Sequence, residues 1–393
     1  MASKLHVKRV ALCAARSRLT AMEKKLARPM DVTTLEKEID RRSNDLQTQP
    51  TVDVVIPCYN YGKFLNSCVA SVITQQGVSA RAIIIDDAST DDSSAVGQEL
   101  STRHHHVEFY RHSKNRGHIA TYNEGLLEYS TADYVVLLSA DDILAPGSLG
   151  RAVSIMESDE SIGMVYGRTI HFQNESELPK SVEATTIFDR FTGTDWIDKR
   201  LRAGYNVITS PEVVVRGSIQ RKIGGYRPEL PHSGDLEMWL RVAAVSNVAY
   251  VRGIQAYYRV HSSSMQRTTY KSSFVDVVHR KAAFDWFFEH HPNYPHIQKR
   301  HETVNLTLAR EALWDACRAY DHNCTESARV EELIQFALDS SSESRSSSEY
   351  SALKRRQLLG APFCNRTQIF IVPASIRWMG RKLKKKRMLQ YGV

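Results

Sequence analysis

Three acidic groups in this chain are placed to bind a cation or move a proton: Asp86-Asp87, Asp141-Asp142 and Asp235. Asp86 directly follows the apolar run Ala82–Ile85, and Ser139-Ala140-Asp141-Asp142 directly follows Tyr134–Leu138. Paired aspartates supply hard oxygen ligands that suit Mg2+ or Mn2+, ions that normally bridge to substrate phosphates. Two such clusters at one end of a sheet crowd negative charge, which a cation or a positively polarised ligand relieves. An aspartate after a strand also serves as a helix N-cap or in an Asx turn, the plainer role for Asp91 and Asp92. Asp235 opens an amphipathic stretch with Leu236, Trp239, Leu240 and Ala243 on its inner face, which puts its carboxylate at a helix mouth. There it serves as a general base or as an N-cap, and Glu237 is the alternative base or a first-turn dipole partner.

The elements that must position these groups alternate in type. Val52–Ile56, Ala82–Ile85, Val107–Tyr110, Tyr134–Leu138 and Gly163–Tyr166 read as strands. Leu65–Ile73, Ile119–Glu128 and Leu149–Glu157 have helical spacing. Such alternation predicts βαβ units and a mostly parallel α/β sheet, with its ligand at the carboxyl ends of the strands. No GxGxxG follows the first strand and no GxxxxGK[ST] occurs, so neither a dinucleotide cradle nor a P-loop is available. A cation on aspartates would have to hold phosphates instead. That points to a nucleotide-diphosphate ligand. His104-His105-His106 precedes a strand, at the opposite end from the site, and reads as a solvated loop.

In order and spacing, VVIPCYNYGKFL (54–65), IIIDDASTDDS (83–93), NRGHIATYNEGL (115–126) and VVLLSADDILAPGSL (135–149) resemble the donor half of family 2 glycosyltransferases. SPEVVVRGSIQRKIGGYRPEL (210–230), SGDLEMWLRVA (233–243) and YYRVHSSSM (257–265) resemble the acceptor half. The resemblance spans about residues 50–265. It implies a GT-A fold, Rossmann-like with flanking helices, and inverting transfer from a nucleotide sugar, a UDP-sugar by family frequency. By resemblance, Pro57 and Tyr59 surround the base and ribose, and Asp87 with Asp86 bonds the uracil or ribose. Asn115 and Gly117 lie in the loop passing the nucleotide, where Arg116 reaches phosphate. Asp141 and Asp142 match the metal motif, with Ser139 standing where many members carry its first aspartate. His261 matches a position where some members contact metal or diphosphate. Asp235 matches the catalytic base, and Tyr122 stands where many relatives carry Arg or Lys. Trp196 and Tyr205 fall between the donor and acceptor motifs, where they stack on a sugar or pack in the core.

The 393 residues carry 52 Lys+Arg against 44 Asp+Glu with 42% hydrophobic residues, which excludes a disordered chain. The net charge of +8 is unevenly spread: +5 in residues 1–50, −8 in 51–350 and +11 in 351–393, where no acid occurs. That partition weakens a nucleic-acid reading. Six scattered cysteines without a CxxC suggest neither a zinc site nor a disulfide framework. No run is long enough to span a membrane, and arginines interrupt the N-terminal apolar stretch, a poor signal peptide. The expected organisation is an N-terminal helical extension (1–49), a GT-A domain (50–270), a helical region (271–338), a Ser-rich linker (339–351) and a basic amphipathic tail (352–393). The tail reads as an anchor to anionic lipid, giving a cytoplasmic protein at the inner membrane face. The functional expectation is a Mn2+- or Mg2+-dependent transferase extending a glycan or lipid-linked acceptor in surface polysaccharide synthesis. The alternatives are a protein or small-molecule acceptor, or a non-catalytic nucleotide-sugar-binding scaffold.

Overall fold

The computed structural model describes residues 49–392 apart from 180, 181, 183, 184, 186, 262–271, 371–374, 376–378, 381, 384–386, 388 and 389. The expected N-terminal extension thus lies outside the described residues, as does part of the basic tail. Residues 1–49 and 50–393 separate as two units.

A nine-stranded sheet organises the second unit, in the order β3-β2-β1-β4-β8-β6-β9-β5 with β7 paired to β9. Its strands are β1 (Thr51–Cys58), β2 (Ser79–Asp86), β3 (Val107–Arg111), β4 (Tyr134–Leu137), β5 (Ile143–Leu144), β6 (Ile162–Phe172), β7 (Phe188–Phe191), β8 (Val214–Arg216) and β9 (Asn247–Arg259). The long ladders are parallel: β1 with β2 and β4, β2 with β3, and β6 with β9. The short ladders around β8, β5 and β7 are antiparallel. Both sheet faces are covered, which explains the unbroken apolar runs. Val54, Ile56, Ile84 and Val136 face α1 (Gly62–Ile73), α2 (Ser93–Arg103) and α4 (Ser148–Ser158). Val55, Ile83, Ile85 and Val135 face the other layer, which includes α7 (Gly234–Val245).

Between these layers α3 (His118–Glu124) runs into a π-helical turn at Gly125–Tyr129, where a Cβ on Gly125 would meet Val55 at 2.2 Å. The helices α5 (Gly193–Ala203) and α6 (Gly217–Ile223) flank the second half of the sheet. Gly193 lies so close to α7 that a Cβ there would stand 1.7 Å from the Ala243 carbonyl oxygen. After β9 come α8 (Ser273–His290), α9 (Ile297–Asp321) and α10 (Val330–Ser340), whose Phe284, Phe287, Leu308 and Leu333 join the core cluster that reaches Val55.

The Ser-rich tract is not a linker. Residues Ser342–Ser346 form a 3-10 turn and Ser348–Leu359 form α11, followed by α12 (Ala361–Thr367). Ser347 caps α11 by accepting the Tyr350 N–H, and Glu349 pairs with Arg310 of α9 at 3.0 Å. Arg356, wholly buried, pairs with Asp321 at 2.8 Å, and Leu353 is in the core. Capping and packing outweigh a polar composition that suggested mobility.

Candidate active site

Parallel registry brings the strand ends together. Cys58 stands beside Asp86 and Val55 beside Leu137, so the segments after β1, β2 and β4 open onto one cavity of about 660 Å3. Pro57, Tyr59, Asp87, Asn115, Gly117, Asp141, Asp142 and Asp235 all line it.

Three predicted residues do not line it: Asp86, Arg116 and His261, the last of which stands behind Asp141. Asp86 is the last residue of β2 and is wholly buried, its Oδ1 accepting the Ser89 N–H at 3.1 Å. Strand pleat sends Asp86 inward and leaves the outward position to Asp87. Arg116 turns its guanidinium onto Glu124 rather than into the cavity. Its backbone N–H, with that of Gly117, is bonded to Asp87 at 2.7 and 2.9 Å. Asp87 also contacts His112 Nδ1 at 2.7 Å, and His112 Nε2 reaches Glu124 at 3.0 Å. These donors hold the Asp87 carboxyl below its ordinary range despite the opposing effect of burial. His112 and Glu124 are therefore the supports of the predicted loop, and neither was singled out by motif.

The second acidic group depends on a distant strand. Pairing of β5 with β9 sets Arg259 and His261 against Asp141 and Asp142. Ser139 Oγ donates to Asp141 Oδ1 at 2.6 Å, and His261 Nε2 lies 2.8 Å from Asp141 Oδ2. Asp142 Oδ1 accepts the Arg259 N–H at 2.8 Å, while Arg259 Nε donates to the Asp141 carbonyl at 2.8 Å. The Arg259 guanidinium lies between the Phe64 and Phe172 rings, 4.4 and 4.5 Å from their centroids, and pairs with Glu175. Burial, then the neighbouring Asp141, pushes the Asp142 carboxyl well above its ordinary value. Carboxylates crowded this way, with an imidazole beside them, form a donor set that fits Mg2+ or Mn2+. No group of three or more ligating side chains is preassembled among the described residues.

Asp235 comes from the opposite wall. It opens α7, whose Leu236, Met238, Trp239, Leu240 and Val242 are buried. Ser210 Oγ donates to Asp235 Oδ2 at 2.5 Å and Tyr226 Oη to Oδ1 at 2.9 Å. Ser210 sits at φ +98, a strained backbone for a side-chain-bearing residue. Tyr226 is fixed by Asn123, which accepts its N–H at 2.6 Å and donates to its carbonyl at 2.9 Å. Burial raises the Asp235 carboxyl, and the two hydroxyls, with His118 and His232, oppose that rise. Glu237 is no alternative base: it is wholly buried and paired with Arg241 at 2.6 Å. Cys58 lines the cavity, but burial pushes its thiol up to about 11, so it is no thiolate nucleophile. Trp196 belongs to the core.

A second cavity of about 470 Å3 adjoins the first, sharing Thr209, His232 and Asp235. Tyr166 and Tyr250 from β6 and β9, together with Tyr205, line it. No local motif announces this cavity, because its walls come from elements far apart in the chain.

A carboxylate poised between two cavities, opposite an acidic cluster at parallel strand ends, is the layout of a GT-A glycosyltransferase. Residues Pro57–Tyr166 and their flanks agree: positions 53–214 match the model of "Glycosyl transferase family 2". Over that stretch the chain is similar to the glycosyltransferases of this family. It is 25% identical over 246 residues to an uncharacterized protein of Mycobacterium tuberculosis, covering 61% of this chain and 76% of that one. It is 25% identical over 219 residues to the chondroitin synthase of Escherichia coli, covering 56% of this chain and 30% of that one. The fold resembles S. aureus TarS 1–349 in complex with UDP, with a TM-score of 0.54 at 12% identity, over 79% of this chain and 90% of that one.

The hydroxyl clamp on Asp235 also sets a pH dependence. Tyr226→Phe removes a donor that favours ionised Asp235, so the carboxyl rises further. The acid limb of the pH profile of kcat/KM is expected to move to higher pH by about one unit, the effect of one hydrogen bond to a charged group. An unmoved limb in a variant that still turns over would show that Tyr226 does not hold the titrating group.

Proposed function

We propose that this protein transfers a sugar from a nucleotide-diphosphate sugar, a UDP-sugar above others, to a hydroxyl of a glycan or lipid-linked acceptor, with inversion. The observation that carries this reading is Asp235, held by two hydroxyls at the wall common to both cavities. The donor occupies the larger cavity, with Pro57 and Tyr59 around its base and Asp87, Asn115 and Gly117 along the loop beside it. The acceptor enters the smaller one. Asp235 takes the proton from the acceptor hydroxyl as its oxygen bonds to the anomeric carbon. The bond from that carbon to the phosphate oxygen breaks, and the nucleoside diphosphate leaves with the electron pair. Asp141 with His261, backed by Asp142, would hold Mn2+ or Mg2+. Such a cation neutralises charge on the departing diphosphate. The neighbour solved with UDP supports a uridine donor, and the relative named chondroitin synthase supports a glycan product in surface polysaccharide synthesis.

Residues 351–393, at +11 and without an acid, support peripheral binding to an anionic inner membrane face. Leu358 is 87% exposed and Leu383 62%, apolar side chains of the kind an interfacial segment buries. No helix among the described residues is long and apolar enough to cross a membrane. Replacing the lysines and arginines of 377–387 by glutamine, which spares the packed helices α11 and α12, is expected to abolish co-sedimentation with phosphatidylserine vesicles; undiminished co-sedimentation contradicts the anchor.

The donor assignment is tested by melting the protein with a panel of nucleotide sugars, with and without Mn2+. A donor at a hundred times its Kd stabilises by about 2.7 kcal/mol, a clear shift in melting temperature. A shift with a UDP-sugar that needs the metal is the expected result, and no shift with any member of the panel contradicts the reading.

A further inference from the structure

A piece of this chain from near residue 392 closes part of the second cavity's wall. Gly392 is buried in its wall, and its carbonyl accepts a hydrogen bond from the Tyr166 hydroxyl. At φ +75 Gly392 lies flat against Tyr250: a Cβ there would meet the ring at 2.3 Å. The preceding residue, Tyr391, receives the Arg252 guanidinium over its ring at 5.2 Å. Three separate contacts, to β6 and to two residues of β9, thus seat two consecutive residues. Only glycine fits the second position.

The wall behind them is built for a carbonyl. Tyr166 also accepts the Trp196 Nε1–H at 3.1 Å, which orients its own hydroxyl proton outward to Gly392. Arg200 is wholly buried against Trp196, 5.3 Å from its ring, and its guanidinium has no hydrogen-bond partner among the described residues. A buried positive charge beside Tyr166 favours the negative end of a peptide dipole at this wall. The same cavity reaches Asp235 through Thr209 and His232.

We propose that the second cavity is a docking site for the Tyr391–Gly392 segment of this chain, and that the docked segment competes with the acceptor for access to Asp235. The competition rests on the acceptor assignment made above; the docking itself does not. Bound, the segment walls off one end of the cavity, about 470 Å3 of which stays open, and lines no part of the donor cavity. Released, it opens the cavity to an acceptor or to water. The basic residues that precede it, Lys382 and Arg387 among them, place its release within reach of an anionic surface.

Two variants test this. A chain lacking residues 388–393 is titrated with a fluorescent peptide spanning 387–393, and with the same peptide carrying Gly392→Leu. Saturable binding of the first, weakened at least about tenfold in the second, is the expected result. In the full chain, Gly392→Leu undocks the segment without shortening it, which guards against a deletion that fails to fold. Both variants are expected to hydrolyse the UDP-sugar that gives the strongest Mn2+-dependent melting shift severalfold faster than the unaltered chain, because more of the population has an open cavity. No saturable peptide binding, with hydrolysis unchanged in both variants, overturns the proposal. Peptide binding with hydrolysis faster in neither variant, though measurable, confines the segment to docking and overturns the competition. Peptide binding with no hydrolysis in any form upholds the docking site and counts against the proposed function instead.

Discussion

Asp235→Asn is expected to cut sugar transfer about a thousandfold, the scale of a lost general base, while nucleotide-sugar binding persists. The amide keeps the size of the carboxyl and can still meet the Ser210 and Tyr226 hydroxyls, but it cannot accept the acceptor's proton. Asp235 comes from α7, whereas the strand-end residues assigned to the donor come from the segments after β1, β2 and β4. The donor-dependent melting shift should therefore survive. Stability should not fall either. Burial raises the Asp235 carboxyl above its unfolded value, so its ionisation costs the folded state stability as pH rises through that raised value. The neutral amide removes that cost at neutral pH. Turnover above about a tenth of the original, a barrier change of only about 1.4 kcal/mol, would remove Asp235 from the mechanism.

Asp141→Asn should separate metal binding from folding. The amide oxygen still accepts from Ser139, so local structure is retained, but the charge facing the cavity is lost. The metal-dependent part of the nucleotide-sugar shift is expected to disappear, and turnover to fall at least about a hundredfold. The unliganded protein should melt no lower, and higher at neutral pH. Asp142 is raised by burial and by Asp141, so without a cation its ionisation opposes folding progressively as pH rises above the ordinary carboxylate value of 3.8. Removing the Asp141 charge relieves part of that opposition. A variant that keeps the Mn2+-dependent shift in full would place the cation elsewhere.

The gathering of the strand-end residues was legible because its signals are local. Apolar runs buried on both faces announce the strands, and the residues just past each strand must lie at one end of a parallel sheet. Asp235 was legible for the same reason, as an acid opening an amphipathic helix. The misplacements came from contacts that no local pattern encodes. Asp86 and Asp87 are neighbours in sequence, but the strand end sends one into the core and the other to the cavity. Arg116 looked free to meet phosphate, and the fold-back of α3 supplies Glu124 instead. His112, Asn123 and Arg259 each act by reaching across to another segment. In the Ser-rich tract the cap was present as Ser347, but its effect depends on Arg310 and Asp321 of α9. The second cavity has no motif at all, since β6, β9 and the 205–209 segment meet only in the folded chain.

The central claim is direct displacement at an anomeric carbon with Asp235 as base, and the stereochemistry of the first product tests it most directly. The α-linked UDP-sugar that gives the strongest metal-dependent shift is incubated with the protein, and the released or transferred sugar is followed by NMR before mutarotation. The β anomer should appear first, at a rate that collapses in Asp235→Asn. First appearance of the α anomer, or an undiminished rate in that variant, would contradict the account.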